Sequence, residues 1–115
     1  MHVYIVIDSS LSMGKGKAVA QACHGMSEVT EYMITHHYDE WKEYQSQMHR
    51  KITLKADRDS FMALYNKYGR SKYSNLWCVS VIDAGLTQVP SGSITCLVFR
   101  PTNERPDDLA RLKLY

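Results

Sequence analysis

The chain has 115 residues, of which 44% are hydrophobic and 23% charged, and its formal net charge is +2 at pH 7. This composition is ordinary for a globular protein with one core, and it predicts a single domain over residues 1–115. No apolar run approaches the ~20 residues that span a bilayer. No signal-peptide pattern opens the chain either, so we expect a cytoplasmic protein with no membrane association.

The elements predicted from periodicity and breakers are, in chain order, a strand at 3–7, a helix from 15 or 17 to about 35, a helix at 38–47, a strand at 51–55, a helix at 57–68, strands at 76–82 and 94–99, and a short helix at 107–111. The strand at 76–82 is the most apolar and is expected to be central in the sheet. Two strand–helix–strand units with about four strands predict a three-layer α/β/α fold with helices on both faces.

Charge is distributed unevenly along the chain. Residues 1–49 carry three basic and six acidic side chains, whereas residues 50–115 carry eleven basic and six acidic ones. Much of the excess falls between Arg50 and Lys72. A local basic surface of this kind is compatible with a phosphate backbone, although many enzymes have one basic side.

A glycine-rich turn joins the first strand to the first helix. Its sequence, MGKGK at residues 13–17, combines two glycines, two cations and a helix start, for which Ser12 is a reasonable N-cap. Unpaired N–H groups and the helix dipole favour an anion at such a point. The spacing matches neither GxGxxG nor GxxxxGK[ST], so no nucleotide fingerprint is assigned, and a solvated helix start stays open as the simpler interpretation.

The first helix is predicted to be amphipathic. At about 100° per residue, Lys17, Gln21, His24 and Glu28 share one narrow face, which we call the polar row. The apolar arc opposite should pack on the sheet, and the polar row is expected to face outward. From spacing alone, this row is interpreted as the water-facing side that every amphipathic helix has.

Asp83 directly follows the apolar strand. Ligands of open α/β sheets bind beyond the carboxyl ends of strands, although an Asp in such a turn often caps the turn itself. Arg70 and Lys72 stand in a basic loop before that strand. The three cysteines lie within apolar segments and are expected to be buried, reduced thiols, and Cys23 is not interpreted as a nucleophile. No spacing supports a metal site.

Several blocks resemble one family in order and separation. They are MGKGK at 13–17 followed by AxAQxxH, then DAGLTQ at 83–88, Gly92, and the terminal LKLY at 112–115. Together they are similar to the archaeal and eukaryotic type of peptidyl-tRNA hydrolase, type 2. The resemblance runs from Val3 to the last residue and implies a mixed four-stranded sheet whose last long strand is antiparallel to its neighbours.

The resemblance also implies an activity: attack of water on the ester that joins a peptide to tRNA, without metal or cofactor, in a homodimeric enzyme. By position, Lys17, Gln21, Asp83 and Thr87 match residues of the family's active site. The substrate-binding candidates are Lys15, His24 and Thr95 from the motifs, with Arg70 and Lys72 for the tRNA backbone. Two alternatives stay open: a non-catalytic RNA- or protein-binding module on the same fold, and a hydrolase of another acylated tRNA.

Overall fold

A computed structural model describes residues 1–84 and 92–115 of the chain. The helices and strands are, in order, β1 Val3–Asp8, α1 Lys15–His36, α2 Tyr38–Ser46, β2 Lys51–Ala56, α3 Arg58–Tyr68, β3 Cys78–Ile82, β4 Ile94–Phe99, α4 Asp107–Ala110 and β5 Lys113–Leu114. Every predicted element is present, with ends that differ by at most two residues. None of the helices described is both long and apolar enough to cross a membrane.

The strands form one mixed sheet in the order β3-β4-β1-β2-β5. β1 and β2 are parallel, while β4 is antiparallel to both β1 and β3, as the resemblance implied. The strand count of about four was one too low, because the chain end adds the two-residue strand β5 antiparallel to β2. That strand is too short to produce a periodic signal in the sequence.

The central position predicted for β3 is wrong, since β3 lies at the edge of the sheet and, among the described residues, pairs with β4 alone. Its apolar sequence has another cause: Val79 and Val81 belong to the core on the α1 side, and Cys78 belongs to the core on the α3 side. Burial by helices on both faces makes a strand apolar whether it has one neighbouring strand or two.

Helices cover both faces of the sheet, which confirms the three-layer fold. On one face α1 and α2 pack over β1, β3 and β4, with Trp77 and Tyr44 among the largest buried side chains. On the other face Phe61 and Leu64 of α3 and Leu109 of α4 meet the opposite sides of the same strands. Trp41 and Tyr44 of α2 are buried packing groups on the first of these faces.

The buried side of α1 differs from the predicted apolar arc. It consists of Ala18, Gln21, Gly25, Val29 and Met33, so it includes one member of the polar row. Val19 and Cys23, which were expected at the edge of the packed side, are exposed. The helix approaches β3 and β4 most closely at Gly25, where a Cβ atom would lie 2.4 Å from Val98 Cγ2. A hydrophobicity pattern gives glycine no weight, and the predicted arc was therefore rotated away from the true contact.

The ends of the helices differ in how they are capped. Asp57 caps α3 by accepting a hydrogen bond from the Ser60 backbone N–H at 2.8 Å, and Gly69 ends this helix. The prediction that Ser12 caps α1 is wrong: the N-cap is Gly14, and no side chain caps the helix there. In the terminal segment Leu112 packs against the α3 side, and Leu114 is 71% exposed.

Candidate active site

The candidate site forms where three elements meet. Asp83 follows the last residue of β3, Lys17 and Gln21 lie on the first two turns of α1, and Thr95 is the second residue of β4. The tight packing of α1 at Gly25 brings the start of this helix over the carboxyl end of β3. Side chains distant in the chain therefore share one end of the sheet.

Lys17 and Asp83 form an ion pair between Nζ and Oδ1. Asp83 is only 2% exposed, whereas the Lys17 side chain keeps 14% of its surface exposed. A buried carboxylate needs a partner of opposite charge, because taking an isolated charge out of water costs far more than a hydrogen bond returns. The ammonium is thus held by the protein on one side and is accessible to a ligand on the other.

A short chain of hydrogen bonds orients the carboxylate. Gln21 Nε2 donates to Asp83 Oδ1 at 3.2 Å, and the Thr95 hydroxyl lies 3.2 Å from both Gln21 Oε1 and the Val81 carbonyl oxygen. An ionised Asp83 can only accept, so the amide nitrogen of Gln21 must face it, and the amide oxygen is left for Thr95. Gln21 and Thr95 are both buried. The direction of the Gln21–Asp83 bond is thereby determined, whereas the single proton of the Thr95 hydroxyl donates to only one of its two acceptors at a time.

The backbone of Asp83 is held as well. Its N–H donates to the Ser93 carbonyl at 2.9 Å, and its own carbonyl accepts from the Gly92 N–H at 2.9 Å. Gly92 has φ +83°, a conformation that is rare for residues with a side chain. The structure therefore explains the glycine of the family motif: Gly92 adopts a positive φ, and its N–H donates to the backbone carbonyl of Asp83.

Lys15 and His24 are not part of this cluster. Both are exposed on α1, and no side-chain hydrogen bond or ion pair joins His24 to any described residue. Thr87 lies outside the described residues. The network thus contains Lys17, Gln21, Asp83 and Thr95.

Arg70 and Lys72 lie at the opposite end of the sheet. Lys72 Nζ stands 5.8 Å from the centre of the Trp77 ring and 5.2 Å from that of Tyr32, and Arg70 donates to Asn66 Oδ1 at 2.9 Å. Trp77 precedes β3 and Asp83 follows it, so the length of the strand, about 20 Å at 3.3 Å per residue, separates Lys72 from the candidate site. A ligand that touches both must be large.

Sequence reasoning missed what Gly25 and the burial of Gln21 do for the site. A glycine in the middle of a long helix pattern is the signal that was available, because it lowers helix stability and is kept where packing demands it. The burial of Gln21 had no such signal. Among residues 1–84 and 92–115, no three His, Cys, Asp or Glu side chains come together as a metal-binding group.

The cysteines differ from the prediction that all three are buried. Cys78 and Cys96 are buried, but Cys23 is exposed and lines a groove of about 590 Å³ between α1, β2 and the C-terminal residue Tyr115. Burial raises the pKa of the Cys78 and Cys96 thiols to about 12, because the thiolate is disfavoured away from water.

We expect one thiol of the three to react with a disulfide reagent in the folded protein at pH 8, and all three to react after unfolding. Cys23→Ala should remove the fast phase and leave activity unchanged, since Cys23 belongs to none of the described contacts around Asp83. A stopped-flow thiol titration with a parallel activity measurement checks both points. Loss of activity in Cys23→Ala, with folding intact, would contradict this placement.

An open mixed sheet with a lysine-paired, buried carboxylate beyond the carboxyl end of a strand defines an α/β protein with a candidate ligand site at that end of the sheet. The comparisons with known proteins agree with this class. The model of the family described as peptidyl-tRNA hydrolase PTH2 matches residues 1–113. The chain belongs to the PTH2 family.

Named relatives cover nearly the same length. The peptidyl-tRNA hydrolase of Methanothermobacter thermautotrophicus is 32% identical over 109 residues, which is 94% of this chain and 92% of that protein. The peptidyl-tRNA hydrolase of Sulfolobus acidocaldarius is 34% identical over 113 residues, which is again 94% of this chain and 92% of that protein. The probable peptidyl-tRNA hydrolase 2 of Dictyostelium discoideum is 33% identical over 114 residues, which is 96% of this chain and 53% of that protein.

Proposed function

We propose that this protein hydrolyses the ester bond of peptidyl-tRNA and releases free tRNA and peptide. The observation that carries the proposal is the Lys17–Asp83 pair, in which Gln21 donates to the buried carboxylate and the Lys17 side chain stays partly exposed. The names of the relatives indicate the same substrate. Ester hydrolysis needs an oriented water and stabilisation of the tetrahedral oxyanion, and a preorganised cation at a partly buried site supplies the second.

In the proposed mechanism Lys17 directs its ammonium at the developing oxyanion or at a phosphate of the terminal nucleotide. Asp83 holds that ammonium in place through the ion pair, and Gln21 and Thr95 hold Asp83. A carboxylate oxygen that already accepts from a cation and an amide is a weak proton acceptor, so we assign Asp83 a positioning role instead of that of a general base. Thr87 stays a predicted partner in orienting water.

The proposed reaction uses water as the nucleophile and requires no metal or cofactor, because the ester of an amino acid with a ribose hydroxyl is already activated. The test of the function is release of labelled peptide from N-acetyl-aminoacyl-tRNA and from short peptidyl-tRNAs, followed in buffer containing EDTA. Turnover that persists with the chelator supports the whole proposal. Turnover restored only by a divalent ion would overturn the metal-independent mechanism.

The same assay separates the two alternatives. A binding module would retain peptidyl-tRNA on a filter without releasing peptide over hours. A hydrolase of another acylated tRNA would release an unblocked amino acid from aminoacyl-tRNA faster than it releases a blocked one. We expect this protein to release a blocked amino acid faster than an unblocked one.

Arg70 and Lys72 are proposed to contact phosphates in the body of the tRNA, since they lie too far from Asp83 to reach the terminal nucleotide. Each phosphate contact contributes about 0.7–0.9 to the slope of log K against log salt. The Arg70→Ala/Lys72→Ala variant should therefore bind uncharged tRNA more weakly at low salt and lose about 1.5 from that slope. The measurement is a salt series of filter-binding titrations.

The matched control is Lys42→Ala/Arg111→Ala, which also removes two exposed cations but from α2 and from the end of α4. Its salt slope should remain close to that of the parent. Equal slopes in the parent and the Arg70/Lys72 variant would rule out the contact. The homodimer implied by the resemblance stays a prediction.

A further inference from the structure

The outer edge of β3 leads directly into the candidate active site. β3 ends the sheet, and its residues pair with β4 in the antiparallel register Val79↔Val98, Ser80↔Leu97 and Val81↔Cys96. The Arg100 N–H donates to the Trp77 carbonyl, so Trp77, Val79 and Val81 bond toward β4. In such a ladder the alternate residues, Ser80 and Ile82, direct their N–H and C=O groups away from the sheet.

Only part of this edge is accessible. Cys78 is 3% exposed, next to the loop that carries Lys72, whereas Ser80 is partly exposed and Ile82 is 63% exposed. The open stretch is therefore residues 79–82, about 13 Å long at 3.3 Å per residue. No backbone hydrogen bond outside the β3–β4 ladder involves Ser80 or Ile82 in the described part of the chain. An unpaired edge of this kind is a template for an additional strand.

Helix α1 forms a wall beside the open edge. It runs opposite to β3, since Lys17 pairs with Asp83 at one end and the Tyr32 ring meets Trp77 edge-on at 5.0 Å at the other. Between them lies a cavity of about 310 Å³, lined by Glu28, Glu31, Tyr32, Thr35, His36, Lys72 and Val79. We call the space between α1 and residues 79–82 the β3-edge groove. The cavity lies at the Val79 and Lys72 end of this groove, and Asp83 follows Ile82 at the other end of β3.

We propose that the β3-edge groove binds the peptide part of the substrate as an extra strand parallel to β3. This inference rests on the proposed function. The ester carbonyl belongs to the last peptide residue, which must lie at Lys17 and Asp83, and the earlier residues must then run back toward Val79. β3 runs from Cys78 toward Asp83, so the peptide and the strand have the same direction.

The charges beside this groove differ along its length. Glu28 and Glu31 line the cavity and their carboxylates repel phosphates, whereas Lys72, at the end of the groove far from Asp83, is the cation proposed to contact the tRNA. A peptide main chain carries no charge. Its C=O and N–H groups can pair with the outward N–H and C=O groups of Ser80 and Ile82, which is the usual basis of strand addition. The same wall disfavours acidic side chains on the peptide residues that face α1. Main-chain contacts of this kind do not depend on the peptide sequence, so the groove can accept peptides of different sequence.

The test uses tRNAs that carry N-acetylated peptides of one, two, three, four and six residues. We expect kcat/KM to rise about tenfold or more between one and four residues and then to level off, because the open edge is about four residues long. Release of all five at equal kcat/KM would overturn this inference and leave the proposed function intact. Release of none would overturn the proposed function, and this inference with it.

A scan of N-methylated peptide bonds in the four-residue substrate gives an internal control. In an added strand, alternate N–H groups point toward β3 and away from it. Methylation of those that point toward β3 should lower kcat/KM about three- to tenfold each, the value of one or two hydrogen-bond contributions. Methylation of those between should have little effect. Equal effects at all positions would contradict strand addition.

Ser80→Pro tests the protein side of the same contact. An edge strand tolerates proline where the N–H faces outward, so the variant is expected to fold. It should reduce the gain from one to four residues to about twofold or less, because it removes an outward donor and adds a ring there. A second copy of the chain is the competing occupant of the edge. If Ser80→Pro converts a dimer into a monomer in sedimentation and leaves the length dependence unchanged, the edge serves self-association and the proposal is wrong.

Discussion

Lys17→Ala is expected to lower kcat for peptidyl-tRNA hydrolysis by about 10²–10³-fold, the usual cost of removing a preorganised group that stabilises an oxyanion. Lys17 carries the positive charge of the network that it forms with Gln21, Asp83 and Thr95, and none of these three side chains can replace that charge. KM should change much less than kcat if the contact strengthens in the transition state. Single-turnover release of labelled peptide measures the chemical step directly.

Loss of folding must be separated from loss of chemistry in this variant. Lys17→Ala removes the charged partner of the buried Asp83 carboxylate, and we expect a cost of roughly 1–3 kcal/mol in the free energy of unfolding. The double variant Lys17→Ala/Asp83→Asn removes the unpaired charge, so it should regain most of that stability. It should not regain activity.

Lys42→Ala is the control for removing a lysine as such, because Lys42 is exposed on α2. It should retain parental stability and kcat. The site assigned here is wrong if Lys17→Ala and Asp83→Asn both keep more than about a tenth of the parental kcat, which is far from the loss that an oxyanion contact predicts. Recovery of activity in the double variant would assign the lysine a purely structural role.

Gly25→Ala is expected to destabilise the protein by about 1–3 kcal/mol, the usual cost of adding a methyl group to a packed core. The new Cβ atom would lie 2.4 Å from Val98 Cγ2 and 2.8 Å from Val81 Cγ2, so α1 must move away from β3 and β4. Lys17 and Gln21 move with the helix, and activity should fall at temperatures where the variant is fully folded. Denaturant unfolding and kcat at 20 °C are the measurements.

Gly16→Ala is a matched control, since it makes the same change nine residues earlier in the same helix. Outside the helix's own backbone and the two neighbouring residues, no atom of residues 1–84 and 92–115 lies within 4 Å of the Cβ position at Gly16. Alanine is the better helix former by roughly 0.5–1 kcal/mol, so this variant should be as stable as the parent or slightly more so. If Gly25→Ala proves as stable as Gly16→Ala, the close contact between α1 and the sheet does not constrain the site.

The candidate site was partly predictable. Asp83 could be placed at the end of a strand, and Lys17 and Gln21 on one face of a helix, because both follow from local periodicity. Their meeting could not be derived, since Gln21 and Asp83 are 62 positions apart and join only when α1 crosses β3. Periodicity also predicted that the Gln21 side chain faces outward. The structure buries it, because Asp83 and Thr95 supply the partners that an amide needs in a core.

The sequence by itself determined the kind and order of the elements and the three-layer α/β fold, because hydrophobic period and breakers act over a few residues at a time. It did not determine which strands are neighbours in the sheet or which side chains are in contact. That β3 is an edge strand, that β5 completes the sheet, and that Cys23 and Leu114 are exposed were decided by the tertiary structure. Strand order and side-chain contact depend on how distant segments pack, and an apolar segment has the same composition whether a helix or another strand covers it.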